Sequence, residues 1–74
     1  MKTGDAVMIT CDGRCVPGEI VLASDNQASL MLRFEAMLHG HVGMMPVLRD
    51  PGGIYRTLIG DHPVFIEPRP ERMQ

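Results

Sequence analysis

Apolar and polar residues alternate along most of this chain, which is the pattern of β-strands with one buried face. The clearest case is the segment 28–35, where Leu30, Leu32 and Phe34 share one face and more polar residues share the other. A helix would scatter these three side chains around its circumference, so the pattern predicts a strand. Further strands are predicted at 6–10, 18–23, 44–48, 54–58 and 64–66.

Turn-forming sequences separate the predicted strands. Asp12–Gly13 readily takes the positive φ angles of a tight hairpin turn, and Asp50–Gly53 is an equally clear turn signal. Pro17–Gly18 indicates a sheet edge or a bulge, because proline has no backbone N–H to donate. The segment 36–43 does not fit a strand, and we interpret it as a loop with one short helical turn near 36–39.

Short strands separated by frequent turns predict an all-β sandwich or barrel. Seventy-four residues are too few for a seven-stranded sandwich. A small SH3-like barrel of five to six short antiparallel strands fits, and it leaves few exposed edges. We therefore predict one SH3-like barrel domain over residues 1–67 and a flexible tail over 68–74. A domain this short has a thin stability margin, and such domains often recruit a disulfide, a metal or a partner subunit.

The first half of the chain resembles the KOW pattern found in a group of SH3-like barrels. The resemblance lies within residues 3–35 and consists of glycines between alternating apolar residues: Gly4-Asp5-x-Val7-x-Ile9, Gly13, Gly18-x-Ile20 and Leu30-x-Leu32-x-Phe34. KOW-bearing proteins of ribosomes and transcription complexes bind RNA or protein through loops of this barrel. The resemblance therefore implies a binding module, although this chain lacks their lysine- and arginine-rich loops.

The charge balance disfavours nucleic acid as the partner. Seven basic and nine acidic residues give a net charge of -2, and Lys2 is the only lysine. Proteins held to a phosphate backbone carry an excess of clustered basic residues instead. If the chain is a KOW-like nucleic-acid binder, the arginines are its candidate contacts: Arg14, Arg33, Arg49 and Arg56.

Two cysteines are too few for the disulfide framework of a small secreted domain, and we expect a cytoplasmic protein without membrane contact. Cys11 and Cys15 are separated by three residues, which matches neither a Cys-x-x-Cys redox motif nor a zinc knuckle. If Asp12–Gly13 turns a hairpin, the two cysteines could face each other and form a labile disulfide. We favour the alternative of two small, partly buried thiols.

His39-Gly40-His41 is the most suggestive metal-ligand pattern. On an extended backbone, His39 and His41 project to the same side, and imidazole is the commonest metal ligand. His62 or a cysteine would have to complete such a site. We favour solvated loop histidines, because the segment 36–43 offers no carboxylate ligand, and we predict no cofactor.

The chain holds seven methionines, and hydrophobic residues make up 45% of it. A small barrel has inward positions for only about 15 to 20 side chains, so a surplus must lie outside the core. Methionine is common on adaptable binding surfaces. We therefore predict that the 39–46 loop is a protein contact or a homodimer interface, through His39, His41, Met44 and Met45.

Catalysis has little support. No Gly-rich phosphate loop, nucleophile elbow or His-Glu-x-x-His motif occurs, and we expect a barrel this small to offer no cleft of the roughly 300 Å³ that small-molecule sites need. Three aromatic residues are too few for a methyl-lysine cage or a proline-rich peptide groove. We predict a non-enzymatic interaction or accessory module without a small-molecule substrate. A KOW-like nucleic-acid-binding domain is the alternative, and a small metal-binding domain through His39 and His41 the third hypothesis.

Overall fold

The computed structural model describes residues 2–38 and 41–69; at 36–38 and 41 it describes only the backbone. Each strand pairs antiparallel with the next, and the last pairs with the first, so the sheet closes into a barrel. This confirms the predicted fold class, a small all-β barrel consistent with the SH3-like type. The strands are β1 (Ala6–Cys11), β2 (Arg14–Ala23), β3 (Ser29–Leu38), β4 (His41–Arg49), β5 (Tyr55–Thr57) and β6 (Pro63–Pro68).

The helical turn predicted near 36–39 is wrong for residues 36–38, because β3 continues to Leu38. Met37 pairs with Val42 and Leu38 with His41, so cross-strand pairing with β4 overrides the local helical preference of Ala-Met-Leu. The predicted loop at 36–43 is thus largely strand. His39 and Gly40 lie outside the described residues.

No helix long and apolar enough to cross a membrane is present in the part of the chain that the structure describes.

The predicted first hairpin is confirmed. Asp12 and Gly13 both have positive φ angles, 55° and 81°, which are those of a type I′ turn between two strands. The residues of β2 before Gly18 pair with β1 alone, because pairing with β3 begins at Gly18 opposite Phe34. Pro17 therefore lies at a local sheet edge, where its missing N–H costs no ladder hydrogen bond.

The buried apolar residues of the barrel interior come from β1, β2, β3, β4 and β6, and β5 adds Thr57 and the partly buried Tyr55. Phe34 is buried as predicted, and Thr57 is a buried polar residue of β5 whose hydroxyl donates to the Ile59 carbonyl (2.8 Å) and accepts from the His62 N–H (3.0 Å). That hydroxyl is therefore satisfied and shapes the β5–β6 loop. The buried apolar residues are Val7, Ile9, Cys11, Val16, Ile20, Leu30, Leu32, Phe34, Met45, Val47, Val64 and Ile66.

The barrel extends past residue 67, where we predicted its end. β6 includes Pro68. The N–H of Arg69 donates to the Ala6 carbonyl (3.0 Å), and its guanidinium donates to the Gly18 carbonyl (2.5 Å). These bonds attach residue 69 to β1 and β2.

Candidate protein-interaction site

Strand β4 is apolar on both of its faces. Its inward residues Met45 and Val47 are fully buried in the core. Its outward residues alternate with them: Met44 is 50% exposed and Leu48 49%, with Pro46 half-buried between them. Val42, which is 70% exposed, precedes Gly43, where the positive φ of 87° and a register shift interrupt the alternation. A strand with one solvated face normally alternates apolar and polar residues, and only strands covered on both faces read as continuous apolar runs.

The strands beside β4 extend this apolar surface. Pro46 pairs with Met31 of β3, and Met31 pairs in turn with Leu22 of β2, which is 64% exposed. The three side chains form a row across the sheet, because directly paired residues on neighbouring strands project to the same side. We name this surface the outer apolar face, and it consists of Leu22, Met31, Met44, Pro46 and Leu48.

A β-bulge places Leu22 on the outer apolar face. Ile20 pairs with Leu32, but Leu22 pairs with Met31, so Val21 is an additional residue in β2. Strict alternation would turn Leu22 inward together with Ile20, whereas the bulge turns it outward.

The outer apolar face is not flat. A shallow hollow of about 320 Å³ lies beside Leu22. Its polar end is held by the β2–β3 turn, where the Ser24 hydroxyl donates to Asn26 Oδ1 (2.9 Å) and accepts from the Ser29 N–H (3.1 Å). The lining residues are Leu22, Ala23, Ser24, Ser29, Leu30, Met31 and Pro46.

Charged residues flank the outer apolar face as internal ion pairs. Arg33, which is opposite Met44, pairs with Glu19 of β2. At the other end of β4, Arg56 is opposite Leu48, and its Nε lies 2.9 Å from Asp50 Oδ2. The apolar centre is therefore flanked by ion-paired charges; protein interfaces commonly have a polar, solvent-accessible rim.

The pair of Asp50 and Arg56 remains ionised near neutral pH. The hydrogen bond from Arg56 lowers the pKa of the Asp50 carboxyl, and the bond from the Ile54 N–H to Asp50 Oδ1 (2.9 Å) lowers it further. The same carboxylate raises the pKa of Arg56. Hydrogen bonds to the charged form favour that form.

The four predicted protein-contact residues do not all lie on the surface. Met44 lies on the outer apolar face, but Met45 is 0% exposed and packs in the core, because neighbouring strand residues point to opposite sides. Met45 is therefore corrected from a contact to a core residue. His39 lies outside the described residues, and of His41 only the backbone position at the start of β4 is described.

No group of three or more potential metal ligands occurs among the residues that the structure describes. The pattern His39-Gly40-His41 falls on the part whose side chains are not described, so the metal hypothesis remains a prediction.

The register separates the four candidate arginines. Arg14 is next to the β1–β2 turn, opposite Cys11, whereas Arg33 lies in β3. Arg49 donates to the Asn26 carbonyl (3.1 Å). Arg33 and Arg56 both project outward, but they stand opposite Met44 and Leu48, two outward positions apart on β4. They do not form one basic row.

The two cysteines do not form the disulfide that was considered as an alternative, and the favoured interpretation of two free thiols holds. Both are free, with Cys11 buried and Cys15 exposed. Cys11 pairs with Arg14, and Cys15 pairs with Thr10, so the thiols point to opposite faces of the hairpin. Burial, together with nearby Asp12, raises the pKa of the Cys11 thiol, which keeps it protonated and unreactive.

The expectation that the barrel offers no cleft is also wrong. An open groove of about 630 Å³ lies where the pairing of β2 with β3 ends. Its polar side chains include the paired Glu19 and Arg33, and Arg69, which donates to the Gly18 carbonyl. The lining residues are Val16, Pro17, Gly18, Glu19, Arg33, Phe34, Glu35 and Arg69.

Comparison with family models, curated proteins and solved structures returned no match to this chain. The site described above rests on the geometry of the barrel. Sequence reasoning named Met44 of this face but not Leu22 or Leu48. The unbroken apolar run 42–48 was the available signal for β4, whereas no local signal marks the bulge that exposes Leu22.

Proposed function

We propose that this protein is a non-enzymatic interaction module that binds a protein partner through the outer apolar face. The observation that carries the proposal is the composition of β4, which is apolar inward and outward. A strand of this composition is typical of sheets covered on both sides, and the barrel covers only one.

The composition of the surface supports a protein as the partner. Exposed apolar patches of about 300–600 Å² on small proteins are often functional. Methionine is enriched at protein interfaces and charge is depleted at their centres; Met31 and Met44 lie on the outer apolar face, and its charges lie at the rim. Burying an exposed Leu or Met side chain contributes about 1.5–3 kcal/mol before the cost of association is subtracted.

Variant-dependent capture tests the proposal. Tagged protein is used to recover binding proteins from the cells that make it, comparing wild type, Met44→Glu and the control Phe65→Glu. Phe65 is 52% exposed on β6, so it matches Met44 in exposure but lies outside the outer apolar face. We expect the same bound proteins with wild type and Phe65→Glu, and at least about tenfold less with Met44→Glu.

Each recovered protein is then purified and retested for direct binding to the three variants, whose folding is checked by urea unfolding. Equal recovery by Met44→Glu and wild type, with both folded, would contradict the proposal. A second tagged copy of the chain is included among the candidate partners.

The two alternatives have less support. The nucleic-acid hypothesis rests on the KOW resemblance, and two of its arginines, Arg33 and Arg56, are engaged by carboxylates. An ion-paired arginine must lose its partner before it can neutralise a phosphate. The metal hypothesis depends on the side chains of His39 and His41.

A further inference from the structure

We propose that the barrel has a second binding site, at which an extended peptide with a basic side chain adds a strand to the free edge of β2. The site is the groove of about 630 Å³ that opens where the pairing of β2 with β3 ends. It shares no residue with the outer apolar face. Addition of an extended peptide to a sheet edge is a common mode of peptide recognition.

The groove lies where β2 and β3 stop pairing although both strands continue. Their register ends at Gly18 opposite Phe34, but β2 already begins at Arg14 and β3 runs on to Leu38. Past that point the described pairings join β2 to β1 and β3 to β4. Pro17 explains the break, because it has no N–H to donate to a β3 carbonyl opposite it.

The free edge of β2 presents main-chain groups at Cys15. The residues that flank the Asp12–Gly13 turn form a hydrogen-bonded pair, so alternate residues of β2 direct their main-chain groups towards β1. Ile20 keeps this alternation, since its N–H donates to the Asp5 carbonyl (2.9 Å). Cys15, which is exposed and opposite Thr10 of β1, therefore directs its N–H and C=O to the side from which β3 has separated. An extended main chain can pair with both groups at once.

The charges of the groove select a basic side chain. Arg33 is already paired with Glu19. Glu35 is exposed, and no ion-pair partner for it occurs within residues 2–38 and 41–69. A lysine or arginine of the peptide would complement this carboxylate, and an acidic side chain would be repelled by it. The buried Val16 and Phe34 provide the apolar part of the lining.

Arg69 determines the side from which the peptide enters. Its guanidinium donates to the Gly18 carbonyl (2.5 Å), and that carbonyl lies on the β1 side of β2 because Gly18 is opposite Val7. Arg69 therefore closes the groove towards β1, and its positive charge directs a basic side chain away from itself, towards Glu35. The open side is the gap between β2 and β3.

Peptide selection tests the charge of the ligand. A phage-displayed library of random peptides about seven residues long is selected on the wild-type protein, and the enriched peptides are synthesised for direct binding measurements. We expect a lysine or arginine at one enriched position. Glu35→Lys should raise the dissociation constant at least about tenfold. Glu67→Lys, at an exposed position of β6, is the matched control and should bind as wild type.

Two further changes test the strand edge itself. N-methylation of the peptide at the amides that face β2 should raise the dissociation constant at least about tenfold, and at the amides between them it should have little effect. Pro17→Val supplies the missing N–H, so β2 can pair with β3 beyond Gly18 and occupy the edge. It should weaken peptide binding while urea unfolding shows a folded protein, and Pro63→Val at the exposed start of β6 is its control.

The outcomes separate this inference from the proposed function. A library that enriches no peptide overturns the inference, and so do enriched peptides that bind Glu35→Lys and Pro17→Val as tightly as wild type. Loss of peptide binding in Leu48→Glu alone also overturns it, because the peptide would then occupy the outer apolar face. Each of these results leaves the Met44-dependent capture of a protein partner to be judged by its own measurement.

Discussion

β3 and β4 are paired neighbours in the same barrel, but their outward faces differ in chemistry. β3 turns Leu30, Leu32 and Phe34 into the core and presents Arg33 and Glu35 to solvent. β4 turns Met45 and Val47 inward and presents Val42, Met44 and Leu48 outward. The inner faces of both strands have the composition that folding requires. On the outer side β3 contributes Met31 between charged and polar residues, whereas Met44, Pro46 and Leu48 follow one another along β4.

The difference between the two strands separates residues needed for folding from residues available for binding. Closing the barrel requires one apolar residue in two along each strand, because alternate side chains point inward. Apolar residues at the remaining positions add no core contacts in the monomer and raise the risk of association. Their concentration on β4, with paired charges around them, is what we interpret as an interface.

The largest effects should come from the inner positions, where the two strands are equivalent. Leu32→Ala in β3 and Met45→Ala in β4 each empty a fully buried site. We expect each to lower the free energy of unfolding by about 2–5 kcal/mol, measured by urea titration of the monomer. A much smaller loss for Met45→Ala would mean that β4 contributes little to the core, and the comparison of the inner faces would fail.

The junction of β3 with β2 should be nearly as sensitive. A Cβ added at Gly18 would lie 2.6 Å from the Arg33 carbonyl oxygen and 2.5 Å from Ile9 Cδ1. Because backbone must move, we expect Gly18→Ala to cost about 1–3 kcal/mol of unfolding free energy. Gly52→Ala is the control, since the nearest atom to its added Cβ is 3.4 Å away. Equal stability of the two variants would show that β2 and β3 are farther apart than described.

Making β3 resemble β4 should strengthen association. Arg33 is directly opposite Met44, so Arg33→Leu would extend the outer apolar face by one residue. We expect the dissociation constant for a protein captured through the outer apolar face to fall by up to about tenfold in a direct binding measurement. Glu67→Leu, at an exposed position of β6, is the control; an equal effect there would indicate non-specific hydrophobic association.

The ion pair between Arg33 and Glu19 should contribute little to the monomer. Both side chains are more than one third exposed, and solvent screens such pairs. A double-mutant cycle with Arg33→Gln and Glu19→Gln should give a coupling free energy of about 0.2–1 kcal/mol in urea unfolding, decreasing with added salt. If the coupling free energy stays the same in high salt, the interpretation of Arg33 and Glu19 as a solvent-screened surface pair is contradicted.

The smallest effect should be the pH dependence from Asp50 beside β4. Its folded pKa is lowered, chiefly by Arg56, so its contribution to stability is present above its unfolded pKa of about 3.9 and is lost as pH falls through the folded value. As the pH falls from 5 to 2, wild type should therefore lose more unfolding free energy than Asp50→Asn. If the urea midpoints of the two proteins fall equally with decreasing pH, the pairing of Asp50 with Arg56 is contradicted.

Most of the fold was predictable because its signals are local. Alternation identified the core residues Leu30, Leu32 and Phe34, and Asp12–Gly13 marked the first hairpin. The end of β3 was not predictable, because Ala-Met-Leu favours a helix locally and pairing with β4 decides otherwise. The orientation of the cysteines was not predicted: the turn was expected to allow them to face each other, but its register places Cys15 opposite Thr10 and Cys11 opposite Arg14.

The candidate site was predictable only in part. The hydrophobic composition indicated surplus apolar residues around the 39–46 loop, and Met44, named there as a contact, is half exposed. Met45 was misplaced, because the two methionines are adjacent and identical in type. Which of the two methionines points into the core is decided only by the register of β4, and the structure places Met45 inside and Met44 outside.

The sequence by itself determined that this chain folds as a small β-barrel, since alternation and turn chemistry act over a few residues. Only the tertiary structure decided that an outer apolar face exists. Leu22, Met31 and Pro46 are far apart in the chain and meet through strand register. The extra residue Val21 then reverses the direction of Leu22, and a bulge of this kind depends on how β2 fits β3 rather than on any local preference.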